Sequence, residues 1–562
     1  MVLAIALTVP TVFTGFALDD YVLLSRMSEP SHAAWAGSAP FDLFRWLDPA
    51  HNQQLIDGKG MPWWTFEGAR CAFFRPLASL THALDHALFA RDARLMHIHS
   101  LLWFGLLLWL AAKAYGELIA ERWVAALAAA MFALDSAHGV ALCWISNRNA
   151  LMAGALGIAT LICHQRSRRT GSLGYACAAW VYFALALLSG ELAVGLAGYV
   201  VAYTCTMDQT STPRRLLALA PYALLLGAWA VARHAGGYGS YGLGAYVDPI
   251  AEPIDFVRTL PQRWTQLMAS QIGSLAADLY GLAPRAVAPL LNVCAGFITV
   301  IGVWFVTPVL KSSALARYFA LGAALSTVPL AATIPADRLL VLVGFGIIPL
   351  LALAIQDALQ AARSDQAPEH IQAVTARRRA AIAFTGLHLA VAAILLPLTA
   401  LSTALVARWS ETAEASVPVT PQVLFVASVP DSVLLTYVPM MREWTGTPQP
   451  EKLYWLHAMP GSLRVERRQA NRLRITANQG MFDRRSEARS AHFAFHPGDK
   501  VVLSEMTIDV LELNHDGLPS VCEFTFQSAL ESARYQWQTW EAGKLQSFAL
   551  PKVGESRWLS TS

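Results

Sequence analysis

Charge is the scarcest commodity in this sequence. Asp, Glu, Lys and Arg make up 14% of its 562 residues, where a soluble domain carries about a quarter. The deficit calls for a solvent other than water. A formal net charge of +3, with no clustered basic surface, argues against a nucleic-acid partner. The seven cysteines form no C-x-x-C pair. Cys143, Cys163, Cys177, Cys205 and Cys294 sit in apolar stretches and read as small hydrophobes. Cys71 and Cys522 alone are too few for a disulfide framework. Spacings of the H-E-x-x-H, Walker A, G-x-S-x-G and EF-hand kinds are missing, which leaves metalloprotease, nucleotide-hydrolase and esterase readings without support. No repeat with a period of roughly 20–50 residues and no extended low-complexity tract is present.

What is abundant is apolar sequence, 55% of the chain. A membrane-spanning helix needs about 20 mainly apolar residues, because hydrocarbon tolerates no unsatisfied backbone groups. The pattern predicts about eleven spans, at residues 1–18, 96–115, 123–134, 140–163, 175–188, 192–207, 216–231, 287–310, 318–334, 339–356 and 380–406. The first could be mistaken for a signal peptide, but it lacks a basic leading region and carries Pro10 mid-segment. Alternate short loops hold the basic residues: Lys113 and Arg122; Arg166, Arg168 and Arg169; Arg214 and Arg215; Lys311 and Arg317; Arg363 and Arg377 to Arg379. The opposite short loops hold almost none, so the basic set is expected in the cytoplasm. With eleven spans the N-terminus is then cytoplasmic and the C-terminus extracytoplasmic.

The expected organisation is a transmembrane domain over 1–410 and a β-rich extracytoplasmic domain over 411–562. Two long outer loops, 19–95 and 234–285, interrupt the first. The former is polar yet aromatic, with Trp35, Trp46, Trp63 and Trp64, and its 41–47 and 74–89 segments read as amphipathic and interfacial. Beyond Arg408 the pattern becomes short alternating runs, such as 423–427, 500–503 and 507–513. Pro497-Gly498-Asp499 and His515-Asp516-Gly517 mark turns between them.

The residues that could carry chemistry gather on the outer side of this topology. Asp19 and Asp20 stand where the first span ends; adjacent carboxylates at a membrane boundary repel and are partly desolvated, which raises one towards useful basicity. The plainer account is an interfacial stop signal. Arg75 opens the 74–89 segment, which also holds His82, Asp85 and His86. His138 and Arg148 lie at the outer start of the fourth span, where an arginine is costly unless it meets a cavity, a partner or an anionic ligand; snorkelling is the alternative. Glu191 occupies a tight outer turn, and Asp337 and Arg338 open the tenth span, as a functional pair or as a topological anchor. Arginine binds phosphate oxygens and a carboxylate deprotonates a hydroxyl, a combination suited to a lipid-phosphate-linked donor.

In order, Leu18-Asp19-Asp20, Phe74-Arg75-Pro76-Leu77, Ala137-His138 with Trp144-Ile145-Ser146-Asn147-Arg148, Leu188-Ser189-Gly190-Glu191 and Ala336-Asp337-Arg338-Leu339 resemble the motifs of the GT-C membrane glycosyltransferases. The likeness is to the tetratricopeptide-bearing protein O-mannosyltransferase-like group and its bacterial relatives. It covers about residues 10–355. It implies a polytopic GT-C-like fold in a bacterial inner membrane, a polyprenyl-phosphate sugar as donor, and a glycan or protein acceptor outside the cytoplasm. It implies Asp19 or Asp20 as catalytic base, Asp19 being favoured. Arg75, Arg148 and Arg338 would bind the donor phosphate, with His138, Glu191 and Asp337 in support. No cofactor or metal is expected, since arginines can neutralise the leaving phosphate. This sequence departs from the group at Asp135-Ser136, Val140, Gly190 and the run 339–343, where the group has His-Pro, Glu, Lys and Tyr-Leu-Tyr-Leu-Pro. It has no tetratricopeptide array. A non-catalytic membrane scaffold or lipid-handling protein on the same fold is the alternative that these losses favour.

Overall fold

The structure, a computed structural model, describes residues 1–27, 40–284, 286–362, 371–483 and 488–561. Trp35 and Arg363 lie outside the described residues, as does part of the 19–95 loop. Among the described residues, five helices are long and apolar enough to cross a membrane: Ala93–Leu118, Thr212–Ala235, Ala288–Ser312, Val341–Ala361 and Gln372–Ser416. They make the chain a multi-pass membrane protein. Shorter apolar helices, Val2–Phe13, Arg122–Leu134, Leu173–Ser189, Glu191–Thr206 and Ala314–Leu330, pack among them. The other expected span at 140–163 falls largely on the helix Arg148–Thr170.

Val341–Ala361 is the hub of this bundle and is buried over most of its length. A helix apolar all round has no water-facing side to keep. By contrast Thr212–Ala235 and Ala288–Ser312 leave Leu217, Leu224, Val293 and Val300 exposed, as lipid-facing helices do. Close approaches are made through small residues. At Gly139 an added Cβ would lie 2.6 Å from the Ala400 backbone nitrogen, and Thr399 donates from the neighbouring helix to the Ser136 carbonyl (2.8 Å). Basic residues of the loops expected to face the cytoplasm are tied to helix ends: Arg168 to Asp208 and Arg377 to Asp357, each at 2.8 Å.

The two long loops fold together. Strands β1 (Arg45–Leu47) and β2 (Arg70–Ala72) come from the first and β3 (Gly239–Tyr241) from the second, in the order β1-β2-β3. Of the two segments expected to be interfacial, 74–89 contains the helix Pro76–Phe89 and 41–47 contains β1. The second loop continues to Val247, whose N–H donates to the Ala332 carbonyl (2.7 Å), while Ile334 donates back to Ala245 (3.0 Å). That pairing delivers the following Asp337-Arg338 to the loop assembly.

The C-terminal domain holds two sheets. One orders β12 (Lys544–Ser547), β11 (Tyr535–Glu541), β4 (Val423–Val426) and β5 (Lys452–Trp455), with β11, β4 and β5 parallel. The other is antiparallel: β13 (Ser556–Thr561), β6 (Gly461–Gln469), β7 (Arg472–Thr476), β10 (Pro519–Phe526), β9 (Met506–Leu513) and β8 (Lys500–Val502). The strands expected at 423–427, 500–503 and 507–513 are β4, β8 and β9. The crossover from β4 to β5 carries the helices Val433–Thr436 and Val438–Thr445. The domain does not begin cleanly at 411. Trp63 and Trp64 of the first loop are buried in its core; Trp63 donates to the Leu456 carbonyl (3.1 Å) and Trp64 stacks on Phe482 at 5.0 Å.

Candidate functional site

A cavity of about 140 Å³ lies where the two loops, the bundle and the β4–β5 crossover meet. Asp19, Arg75 and Arg338 line it together with Trp46, Trp144 and Tyr437. These charged groups are separated by up to some 320 positions in the sequence (Asp19 to Arg338).

The chain reaches Asp19 through Leu18 in the left-handed region (φ 48°), a conformation that costs a non-glycine residue roughly 1–2 kcal/mol. Asp19 and Asp20 open the helix Asp19–Met27, whose geometry points consecutive side chains about 100° apart. Asp20 turns inward and is 2% exposed. Its oxygens accept from the Ala17 N–H (2.9 Å) and the Ser146 N–H (2.8 Å), joining the link after the first helix to the turn before Arg148. Burial raises its carboxyl to about 7, and the Asp19 charge adds to that. Asp19 faces the cavity. Its Oδ1 accepts from the Tyr437 hydroxyl (2.7 Å) and the Trp46 indole N–H (3.1 Å). Burial pushes its carboxyl above the usual range, against the opposing pull of Tyr437, Arg338, Trp46 and Arg75.

Arg75 is the residue before Pro76, at the start of the Pro76–Phe89 helix. Its Nε donates to Glu191 Oε2 at 2.7 Å. Its guanidinium lies over the rings of Phe73 (4.4 Å) and Phe44 (5.1 Å). Glu191 therefore holds Arg75 from behind and does not itself line the cavity. Arg338 lies over the Trp144 ring at 5.7 Å. Two guanidinium groups and a carboxylate thus share a pocket whose other walls are mostly aromatic and aliphatic, including Phe73, Tyr246 and Met440, with Asn147 and Thr436 as further polar residues.

The other expected site residues lie elsewhere. Arg148 is fully buried. It pairs with Asp85 at 2.5 Å and donates to Ser100 Oγ (3.0 Å) and the Met96 carbonyl (2.8 Å). These partners satisfy the buried arginine that opens the helix Arg148–Thr170, and it does not line the cavity. His138 is likewise buried, its Nε2 against the Phe132 carbonyl at 2.9 Å. Asp337 accepts from the Ala277 N–H (2.6 Å), and burial with the neighbouring Asp278 charge keeps its carboxyl well above the ordinary range; it anchors the turn that presents Arg338. Gly190, where the resembling group has lysine, backs onto Asn149, whose amide nitrogen an added Cβ would meet at 3.2 Å. Trp46 and Tyr437, the two hydrogen-bond donors to Asp19, had no signal in the local sequence. Among the described residues no group of three or more His, Cys, Asp or Glu is placed to hold a metal ion.

No model of a known protein family matches the chain, and no curated protein matches it either. Among solved structures, the chain is similar to ArnT from Cupriavidus metallidurans in the apo state, at 12% identity and a TM-score of 0.38, over 80% of this chain and 88% of that one.

Proposed function

We propose that this protein is a GT-C-like inverting glycosyltransferase that moves a sugar from a polyprenyl-phosphate carrier to an acceptor outside the cytoplasm. The observation that carries the reading is the shared cavity of Asp19, Arg75 and Arg338. These three belong to motifs through which the sequence resembles that superfamily. In the proposed step Asp19 takes the proton of an acceptor hydroxyl as its oxygen attacks the anomeric carbon. The bond from that carbon to the carrier phosphate oxygen breaks, and the phosphate leaves with the electron pair. One displacement at one carbon inverts its configuration. Arg75 and Arg338 stabilise the departing phosphate by charge and hydrogen bonding. Donor binding from the bilayer fits a site beside membrane-crossing helices.

Asp19→Asn tests the reading. Its amide keeps the shape and loses the base, so transfer of radiolabelled sugar from native polyprenyl-phosphate lipids should fall roughly 10²–10⁴-fold in membranes holding normal amounts of the variant. Transfer by the variant at the wild-type rate would remove Asp19 as base, whereas no transfer by the wild-type protein itself would favour the scaffold alternative.

A further inference from the structure

Asp19 is held from both sides of the molecule. The Trp46 donor comes from the first loop, near Asp19 in sequence. The Tyr437 donor comes from the C-terminal domain, 418 positions away. We propose that Tyr437 is a positioning residue, which orients the Asp19 carboxylate and favours its ionised form, so that the site is complete only when the C-terminal domain is seated on the membrane bundle. The proposal rests on the reading of Asp19 as the base, and it adds a role for a domain that the sequence left without one.

The geometry behind it has three parts. Tyr437 sits between two short helices of the β4–β5 crossover, Val433–Thr436 and Val438–Thr445. Thr436, Tyr437 and Met440 from this crossover all line the cavity, so the domain forms one wall of it. The wall is also pinned to the segment that carries Asp19. Ser25 donates to Glu443 Oε2 (2.6 Å), Trp444 meets Phe16 edge-on at 5.7 Å, and Met440 and Met441 share a buried cluster with Tyr21, Val22 and Leu24. Across the domain, Arg442 is buried against Glu414 at 2.9 Å, at the end of the last membrane helix. A hydroxyl held so firmly donates to the charged form of a carboxylate, and such a bond favours ionisation. Tyr437 and the two arginines act in the same direction, against the burial of Asp19.

The test reads Asp19 directly and needs no sugar donor. Dicyclohexylcarbodiimide reacts with protonated carboxyls in apolar surroundings. The purified full-length protein is treated with it across a pH series, and labelling at Asp19 and Asp20 is resolved by mass spectrometry. Tyr437→Phe removes the hydroxyl and keeps the ring. It should move the Asp19 labelling midpoint up by about half to one pH unit. Asp20, bonded to Ala17 and Ser146 instead, serves as the internal reference and should move less. Incorporating 3-fluorotyrosine at the same position, a stronger donor of the same shape, should move the Asp19 midpoint the other way and covers the case in which the phenylalanine variant fails to fold. An Asp19 midpoint indifferent to both changes overturns the proposal even if Asp19→Asn abolishes transfer. A clear shift together with a fully active Asp19→Asn sinks the base assignment and leaves the Tyr437 contact standing.

Discussion

Two neighbouring aspartates illustrate how one residue type takes two roles. Both open the helix Asp19–Met27, where consecutive side chains point about 100° apart, so Asp20 serves the backbone and Asp19 the cavity. An amide at position 20 would offer an N–H to one of the two backbone N–H groups now bonded there. Asp20→Asn should therefore cost about 1–3 kcal/mol of stability, seen as a lower melting temperature of the detergent-solubilised protein. Its pH dependence has a definite sign. With the folded carboxyl raised to about 7 and the unfolded one near 4, the native state holds a proton between these values that the unfolded chain has released. Stability from this group thus falls as pH rises through that window, and the asparagine variant should lose that slope. An unchanged melting temperature would show that the two backbone bonds matter little. Asp19 and Arg338 stood out in the sequence as charges at the ends of expected spans and Arg75 as the opening of an amphipathic segment, and the structure brings the three to one cavity. The same reasoning named Arg148, whose reason proved to be Asp85 and two other partners. Sequence supplies the debt of a buried charge but not its creditor.

At the scale of elements, the site depends on short segments being held at close quarters. The helix His138–Cys143 leads directly into the turn whose Ser146 N–H binds Asp20 and whose Trp144 lies under Arg338. It rests against the helix Ala392–Ala400 through Gly139. Gly139→Ala would force a methyl against the Ala400 backbone nitrogen and the Thr399 side chain, and separation of the two helices should cost about 1–3 kcal/mol. Lower thermal stability and weaker transfer should appear together; a variant as stable as wild type would mean that the helices part freely. The helices themselves were readable from their apolar runs, because hydrocarbon imposes one length and one backbone solution. The β1-β2-β3 sheet was not. Its strands are three residues each, too short for an alternating pattern, and β3 joins from another loop.

At the scale of the molecule, the first loop and the C-terminal domain are one assembly seated over the bundle. The charge pattern of the loops predicts that this assembly faces away from the cytoplasm. A membrane-impermeant protease applied to spheroplasts should then cleave the C-terminal domain, while the same protease added outside inverted vesicles should spare it. The reverse result would invert the topology and place the cavity on the cytoplasmic side, against the proposed donor geometry.

The membrane character of the chain, the mixed composition of its C-terminal quarter and the unusual cost of a few charged residues were determined by sequence alone, because they follow from transfer energies that each segment carries by itself. Which aspartate faces the cavity, which arginines join it, and that a tyrosine from the far end of the chain completes its surroundings were decided only by tertiary structure. Those outcomes depend on chain reversals and on partners hundreds of residues apart, and no local pattern encodes the meeting of two such side chains.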